Sequence, residues 1–145
     1  FSPERAGGVP NGELVRLCYS GKYTEKEMIK QLVGKAGFNA YCGSNDARDI
    51  EAMAKNGDKH AQLVFDAFLY QVSKDIGAQA AVLSGKVDQI ILTGGIAYGK
   101  YATEEITKRV QFIAPVTVYG GEDELLALAQ GALRVLNGEE EAKVY

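Results

Sequence analysis

From Asp58 onward the apolar residues Ala61, Val64, Phe65, Phe68, Leu69, Val72, Ile76, Ala80 and Leu83 recur at intervals of three and four. That period gathers them on one side of an α-helix and on no single face of a strand, so one long helix is predicted here. Gly77 falls inside it and is expected to let a neighbour pack closely. Any fold for this chain has to accommodate that helix.

Shorter signals stand on either side of it. The first dozen residues, "FSPERAGGVPNG", hold two prolines and several turn formers and read as an extended loop. In "TEKEMIKQLVGK" the pair Thr24 and Glu27 has capping-box spacing, so a helix should begin at Thr24 and stop near Gly34, with Met28, Leu32 and Val33 inward. "GFNAYCGSNDARDIEAMAKNGD" reads as a short connection and a second helix, with Ser44, Asn45 or Asp46 as candidate caps and Gly57 as the stop. Beyond the long helix, "VDQIIL" is a short buried strand and "ATEEITKRVQFI" a helix with Thr103 as its candidate cap and Ile106, Val110 and Ile113 inward. "APVTVYGG" is a second strand, and "EDELLALAQGALRVLNG" an acidic-capped helix that ends at Gly138. The order is several helices followed by βαβα, which predicts an α/β fold with two parallel strands.

A chain of 145 residues with a hydrophobic fraction of 46% is sized for one globular domain with a core of its own. Its 16 basic and 19 acidic residues are mixed along the chain, so no basic stripe suggests nucleic acid and no polybasic cluster an anionic membrane. No apolar run approaches the roughly 20 residues of a membrane-spanning helix, and the N-terminus lacks the pattern of a signal peptide. The missing initiator Met suggests a piece of something longer. Two cysteines, Cys18 and Cys42, do not make a disulfide framework, and a reducing cytoplasm is expected.

Three stretches can carry chemistry. "GGIAYGK", within Thr93 to Lys100, fits all but the last position of the phosphate-loop pattern, where Tyr101 stands in place of Ser or Thr. It follows a buried strand, at the end of a parallel sheet where α/β proteins bind ligands. A phosphate loop, another nucleotide or ligand loop, and a plain tight turn all remain open from spacing. "YGGEDE", residues 119 to 124, repeats the arrangement after the second strand; its acids either complement the helix dipole or reach Mg²⁺ through water. In "GSNDARD", residues 43 to 49, Arg48 could pair with Asp49 or reach a ligand phosphate. His60, the single histidine, reads as a solvated residue. No Cys/His ligand set and no set of nucleophile, base and orienting acid can be assembled, which disfavours zinc and hydrolase chemistry.

Taken together, "FSPERAGGVPNGELVRLCYSGKYT", "GSNDARDIEAMAKNGDKHAQLVFDAF", "ILTGGIAYGK" and "VYGGEDELLALAQGALRVLNGE" resemble the C-terminal half of the butyrate kinases, a branch of the acetate kinase family. The resemblance runs along essentially the whole chain. It implies the ribonuclease-H-like α/β fold shared with sugar kinases, actin and the heat-shock ATPases, with residues 1–145 as the nucleotide-binding C-terminal lobe and an N-terminal lobe missing. It implies phosphoryl transfer between butanoyl phosphate and ADP to give butanoate and ATP, with Mg²⁺, in a cytoplasmic fermentation or branched-chain acid pathway. A short-chain fatty acid or acyl phosphate and an adenine nucleotide would be the ligands, and a homo-oligomer the full-length form. Adenosine contacts carried over from the family fall on Asp46, Ala47 and Arg48 and on Gly94, Gly95, Ile96 and Ala97, with Ala47 standing where the family has an aromatic. A metal-proximal glutamate falls on Glu122 or Glu124, and Arg5 is the nearest candidate for a catalytic arginine. The lobe alone is expected to lack activity. Lys100 and Tyr101 then become ordinary helix-entry residues. Two other readings are a non-catalytic nucleotide-binding module and a related short-chain or branched-chain acyl kinase.

Overall fold

A computed structural model describes residues 1–121 and 123–143. The long helix, α5, spans Lys59–Val82, and Asp58 caps it by accepting from the backbone N–H groups of His60 at 2.9 Å and Ala61 at 3.0 Å. Ala61, Val64, Phe65, Phe68 and Leu69 are buried, as the periodicity predicts. The stripe does not run the whole length. Leu83 lies just past the helix at 53% exposure, and a Cβ at Gly77 would meet nothing within 4 Å, so that glycine serves no close approach. The expected inward face is buried over the first half of α5, continues half-buried through Val72 and Ile76, and is lost by Leu83.

Four helices precede α5, and the last two pack against it. α2 (Glu25–Leu32) begins with the predicted capping box: Thr24 Oγ1 accepts from Glu27 N at 3.3 Å and Glu27 Oε2 accepts from Thr24 N at 2.8 Å. Val33 is not inward but 51% exposed, because the chain turns extended there (φ −134°) and pairs with Arg5 in an antiparallel bridge. The N-terminal stretch is zipped to this region: Ala6 N donates to Leu32 O, Gly34 N to Glu4 O and Asn39 N to Pro3 O. The first helix, α1 (Asn11–Cys18), has no buried residue. The connection before "GSND" contains a further short helix, α3 (Gly37–Cys42), and α4 (Ala47–Lys55) follows, capped by Asp46. Gly37 takes a positive φ of 59°, and a Cβ there would collide with the Ser2 carbonyl oxygen. Close approach and backbone conformation both demand glycine at that position.

The core is aromatic where these pieces meet. Phe38, fully buried, packs edge-on to Phe68 with centroids 5.0 Å apart, and also touches Phe1 at 6.0 Å and Phe65 at 5.9 Å. Beyond α5 come β1 (Ile90–Leu92), α6 (Lys100–Val110), β2 (Val116–Val118) and α7 (Glu124–Leu136). The two strands are parallel, with Ile90 opposite Val116 and Leu92 opposite Val118. α6 starts three residues before the expected Thr103, since a 3₁₀ turn, Gly95–Tyr98, feeds directly into it. Thr103 is thus inside the helix, and its hydroxyl donates back to Gly99 O at 3.2 Å instead of capping. Tyr101 is more than an entry residue: its ring stacks on Phe65 and its hydroxyl donates to Asp66 at 2.7 Å, which locks α6 onto α5.

Two apolar surfaces have no cover among the described residues. Ile91, on the outer face of β1, is 59% exposed. α7 buries none of its residues, and Leu125, Leu128 and Leu136 are exposed at 86%, 64% and 81%. Cys18 and Cys42 are both free thiols. No described helix is long and apolar enough to cross a membrane.

Three substitutions test this architecture in the full-length protein. Phe38→Ala should cost about 3–5 kcal/mol by opening a cavity at the aromatic junction, read as a lower urea midpoint with unchanged slope. An unchanged midpoint would remove the ring from its central place. Gly37→Ala should destabilise more than Gly34→Ala. Both positions have positive φ, but a Cβ at Gly34 meets nothing within 4 Å, so only backbone strain of about 1–3 kcal/mol acts there. Equal losses would mean that the Ser2 contact is irrelevant.

Candidate functional site: a cleft between α4 and the glycine turn

α4 lies along α5 by burying Ile50, which aims its N-terminus toward the turn between β1 and α6. A cleft of about 690 Å³ opens between them, a size suited to a small-molecule ligand. Asp46, Ala47 and Arg48 form one wall, and Gly95, Ile96 and Tyr98 the other. Phe65 and Ala102 supply an apolar floor, each 1% exposed. Two sequence segments some fifty residues apart, each expected to touch the adenosine of a nucleotide, therefore face the same space. Gly94 and Ala97 belong to the same turn, on either side of Gly95 and Ile96.

The α4 wall is fixed by its own charges. Asp46 Oδ1 accepts from the backbone N–H of Arg48 at 2.9 Å and from Arg48 Nε at 3.0 Å, while Oδ2 pairs with Arg48 Nη2. Arg48 thus pairs with Asp46 and not with Asp49, whose carboxylate instead accepts from Ser44 Oγ at 2.6 Å. The side-chain and backbone bonds from Arg48 hold the Asp46 carboxyl down to about 2. This group's contribution to stability is present above the unfolded value of about 4 and is lost only as pH falls toward 2. At neutral pH the pair is closed, and the guanidinium stays exposed at the cleft's edge with an 89% accessible side chain.

The opposite wall is backbone. The two glycine turns hydrogen-bond to each other: Gly121 N donates to Gly94 O at 3.0 Å, Gly94 N to Gly121 O at 3.3 Å, and Thr93 Oγ1 to Gly121 O at 3.1 Å. The Gly94 amide is therefore occupied and does not offer itself to a phosphate. Gly95 differs, because a Cβ there meets nothing within 4 Å and the residue lines the cleft. The missing side chain leaves room that a ligand can fill.

Glu51 is a lining residue that the sequence reading passed over. Its side chain is 18% exposed and pairs with Lys55 at 2.8 Å, one turn after Ala47 on the same side of α4. The i, i+4 spacing from Ala47 was the available signal. A carboxylate there is an acceptor for hydroxyl groups. The described lining contains no serine, cysteine or histidine; its ionisable groups are Asp46, Arg48, Glu51 and Tyr98.

The remaining candidates lie elsewhere. Arg5 is exposed, held by its backbone against Val33, and is not among the residues that line the cleft. Glu124 opens α7 and is exposed, outside the cleft lining. Glu122 lies outside the described residues. No three acidic, histidine or cysteine side chains converge among the described residues, whereas a Mg²⁺ held by one carboxylate through water needs no such cluster. His60 is exposed, and its Nε2 lies 3.0 Å from Tyr41 O, tying α5 to α3.

Comparison with known proteins gives this geometry a family. The chain is 62% identical over its whole length to butyrate kinase 2 of Clostridium acetobutylicum, and 57% identical to a probable butyrate kinase of Clostridium botulinum. It spans 41% of the length of each of these curated relatives. Among solved structures, Porphyromonas gingivalis acetate kinase superposes with a TM-score of 0.80 over 92% of this chain and 40% of its own, at 24% identity, which establishes the shared α/β fold. The acetokinase family model matches residues 4–142, and the chain belongs to that family.

Proposed function

We propose that this chain is the nucleotide-binding lobe of a butyrate kinase, which interconverts butanoyl phosphate plus ADP and butanoate plus ATP. The reading rests above all on one observation: the Asp46–Arg48 wall and the Gly95–Ile96 wall enclose a single cleft. The apolar floor of Phe65 and Ala102, with Ile96 on the wall beside it, suits a purine, and Glu51 suits a ribose hydroxyl. Arg48, immobilised by Asp46, places a fixed positive charge at the edge where a phosphate chain would leave. Phosphoryl transfer needs little covalent chemistry from the protein, so such positioning is the contribution expected of this lobe. Mg²⁺ would supply charge neutralisation at the phosphates, with Glu122 or Glu124 as the carboxylate near it through water. Arg5 remains the candidate for a catalytic cation, although the cleft geometry does not support it.

The uncovered faces of β1 and α7 fit the same reading. Parallel sheets are covered on both sides, and two strands do not stand alone in water. The remainder of the polypeptide, the N-terminal lobe, is the natural cover for Ile91 and for the leucines of α7. Phosphoryl-transfer groups not found in this cleft would come from there, and the protein would work in the reducing cytoplasm with free thiols.

The full-length protein should form ATP from butanoyl phosphate and ADP, and residues 1–145 alone should not turn over. Strong nucleotide binding without turnover by the full-length protein would favour a non-catalytic module instead. Acyl-chain preference is read from kcat/KM across acids of two to five carbons, where one methylene is worth about 1–3 kcal/mol.

A cleft-filling substitution gives a sharper test. Gly95→Ala should leave the urea midpoint nearly unchanged, because the added Cβ meets no protein atom within 4 Å, and should raise KM for ADP by about tenfold. An unaltered KM for ADP would place the nucleotide elsewhere.

A further inference from the structure

Ala47 leaves the α4 wall without a ring, and Phe65 is sealed into the floor at 1% exposure. Among the described lining residues, Tyr98 alone presents an accessible aromatic face, at 75% exposure. We propose that Tyr98 is the surface on which the base of the bound nucleotide stacks. The proposal rests on the nucleotide reading above and adds to it a specificity-determining residue on the glycine-turn side.

Two features make this ring a prepared platform. Its backbone is held in the 3₁₀ turn, where Ala97 N donates to Gly94 O at 3.1 Å and Gly99 N to Ile96 O at 2.9 Å. Its ring lies on the second glycine turn. A Cβ at Gly120 would come within 2.9 Å of Tyr98 Cδ1, and one at Gly121 would overlap the hydroxyl. Both glycines of "YGGEDE" are thus explained by the ring they support, a role that local turn chemistry did not suggest. One side of the ring is backed by backbone while the residue stays largely exposed at the cleft. A flat π-face held in place beside an apolar floor is what a purine stacks on, and stacking tolerates any base.

The test uses the full-length protein, with ADP affinity measured by calorimetry and KM measured separately for ADP and butanoyl phosphate. Tyr98→Leu, which keeps bulk and removes the π-face, should weaken ADP by about tenfold and leave KM for butanoyl phosphate and the unliganded Tm unchanged. Tyr98→Phe should retain ADP affinity. Gly120→Ala, which displaces the ring without altering it, should weaken ADP in the native background and add nothing to Tyr98→Leu. ADP affinity unchanged in Tyr98→Leu overturns the proposal, as does an equal loss for both substrates or a fall in Tm, which would mark the ring as merely structural. A native protein that binds no ADP overturns the nucleotide reading itself and this proposal with it. That result is distinct from a native protein that binds ADP and is indifferent to the ring.

Discussion

The packing of α4 and α6 against the same stretch of α5 is the constraint on which the rest depends. Phe65 is the shared point: it meets Phe38 on one side, stacks on Tyr101 on the other, and closes the floor of the cleft between them. Because interiors are close-packed, neither wall can move without disturbing this ring. The bond from Tyr101 to Asp66, supported by Gln62 Nε2 donating to the same carboxylate at 2.9 Å, adds a directional lock to a contact that burial alone would leave free to slide. It also holds the Tyr101 phenol above its usual range, so the lock stays intact through neutral pH.

The two walls of the cleft are made differently, and the difference suits their tasks. On α4 a closed ion pair, Asp46 with Arg48, presents charge whose geometry is already set. On the other side, glycines and a short 3₁₀ turn present space and one aromatic ring. The bridge between Gly94 and Gly121 ties the end of β1 to the end of β2, and α7 departs from that junction. The chain belongs to the acetokinase family and spans 41% of the length of the curated relatives it matches.

Local chemistry was readable residue by residue. The capping box of Thr24 and Glu27, the Asp46 cap within the group Ser44 to Asp46, the glycine stop after α4 and the period of α5 all depend on atoms within a turn or two of each other. They form as expected. Val33, Leu83 and Thr103 did not follow their pattern, for three different reasons: Arg5 bridges Val33, no described neighbour covers Leu83 past the end of α5, and the adjacent 3₁₀ turn starts α6 early. α7 has the composition of a buried helix, yet none of its residues is buried against the other described residues.

The sequence by itself determined α2, α4, α5, α6, α7 and the two strands, their order and the parallel pairing implied by βαβ, because those follow from short-range sterics, capping and periodicity, while the short helices α1 and α3 carried no comparable local signal. Tertiary structure alone decided that "GSNDARD" and "TGGIA" share one cleft, that Gly94 is occupied by Gly121, that Glu51 joins the lining and that Tyr98 rests on Gly120 and Gly121. Those relations join residues tens of positions apart. They exist only once α5 has brought both walls to the same side chain, Phe65, and no local preference encodes that meeting.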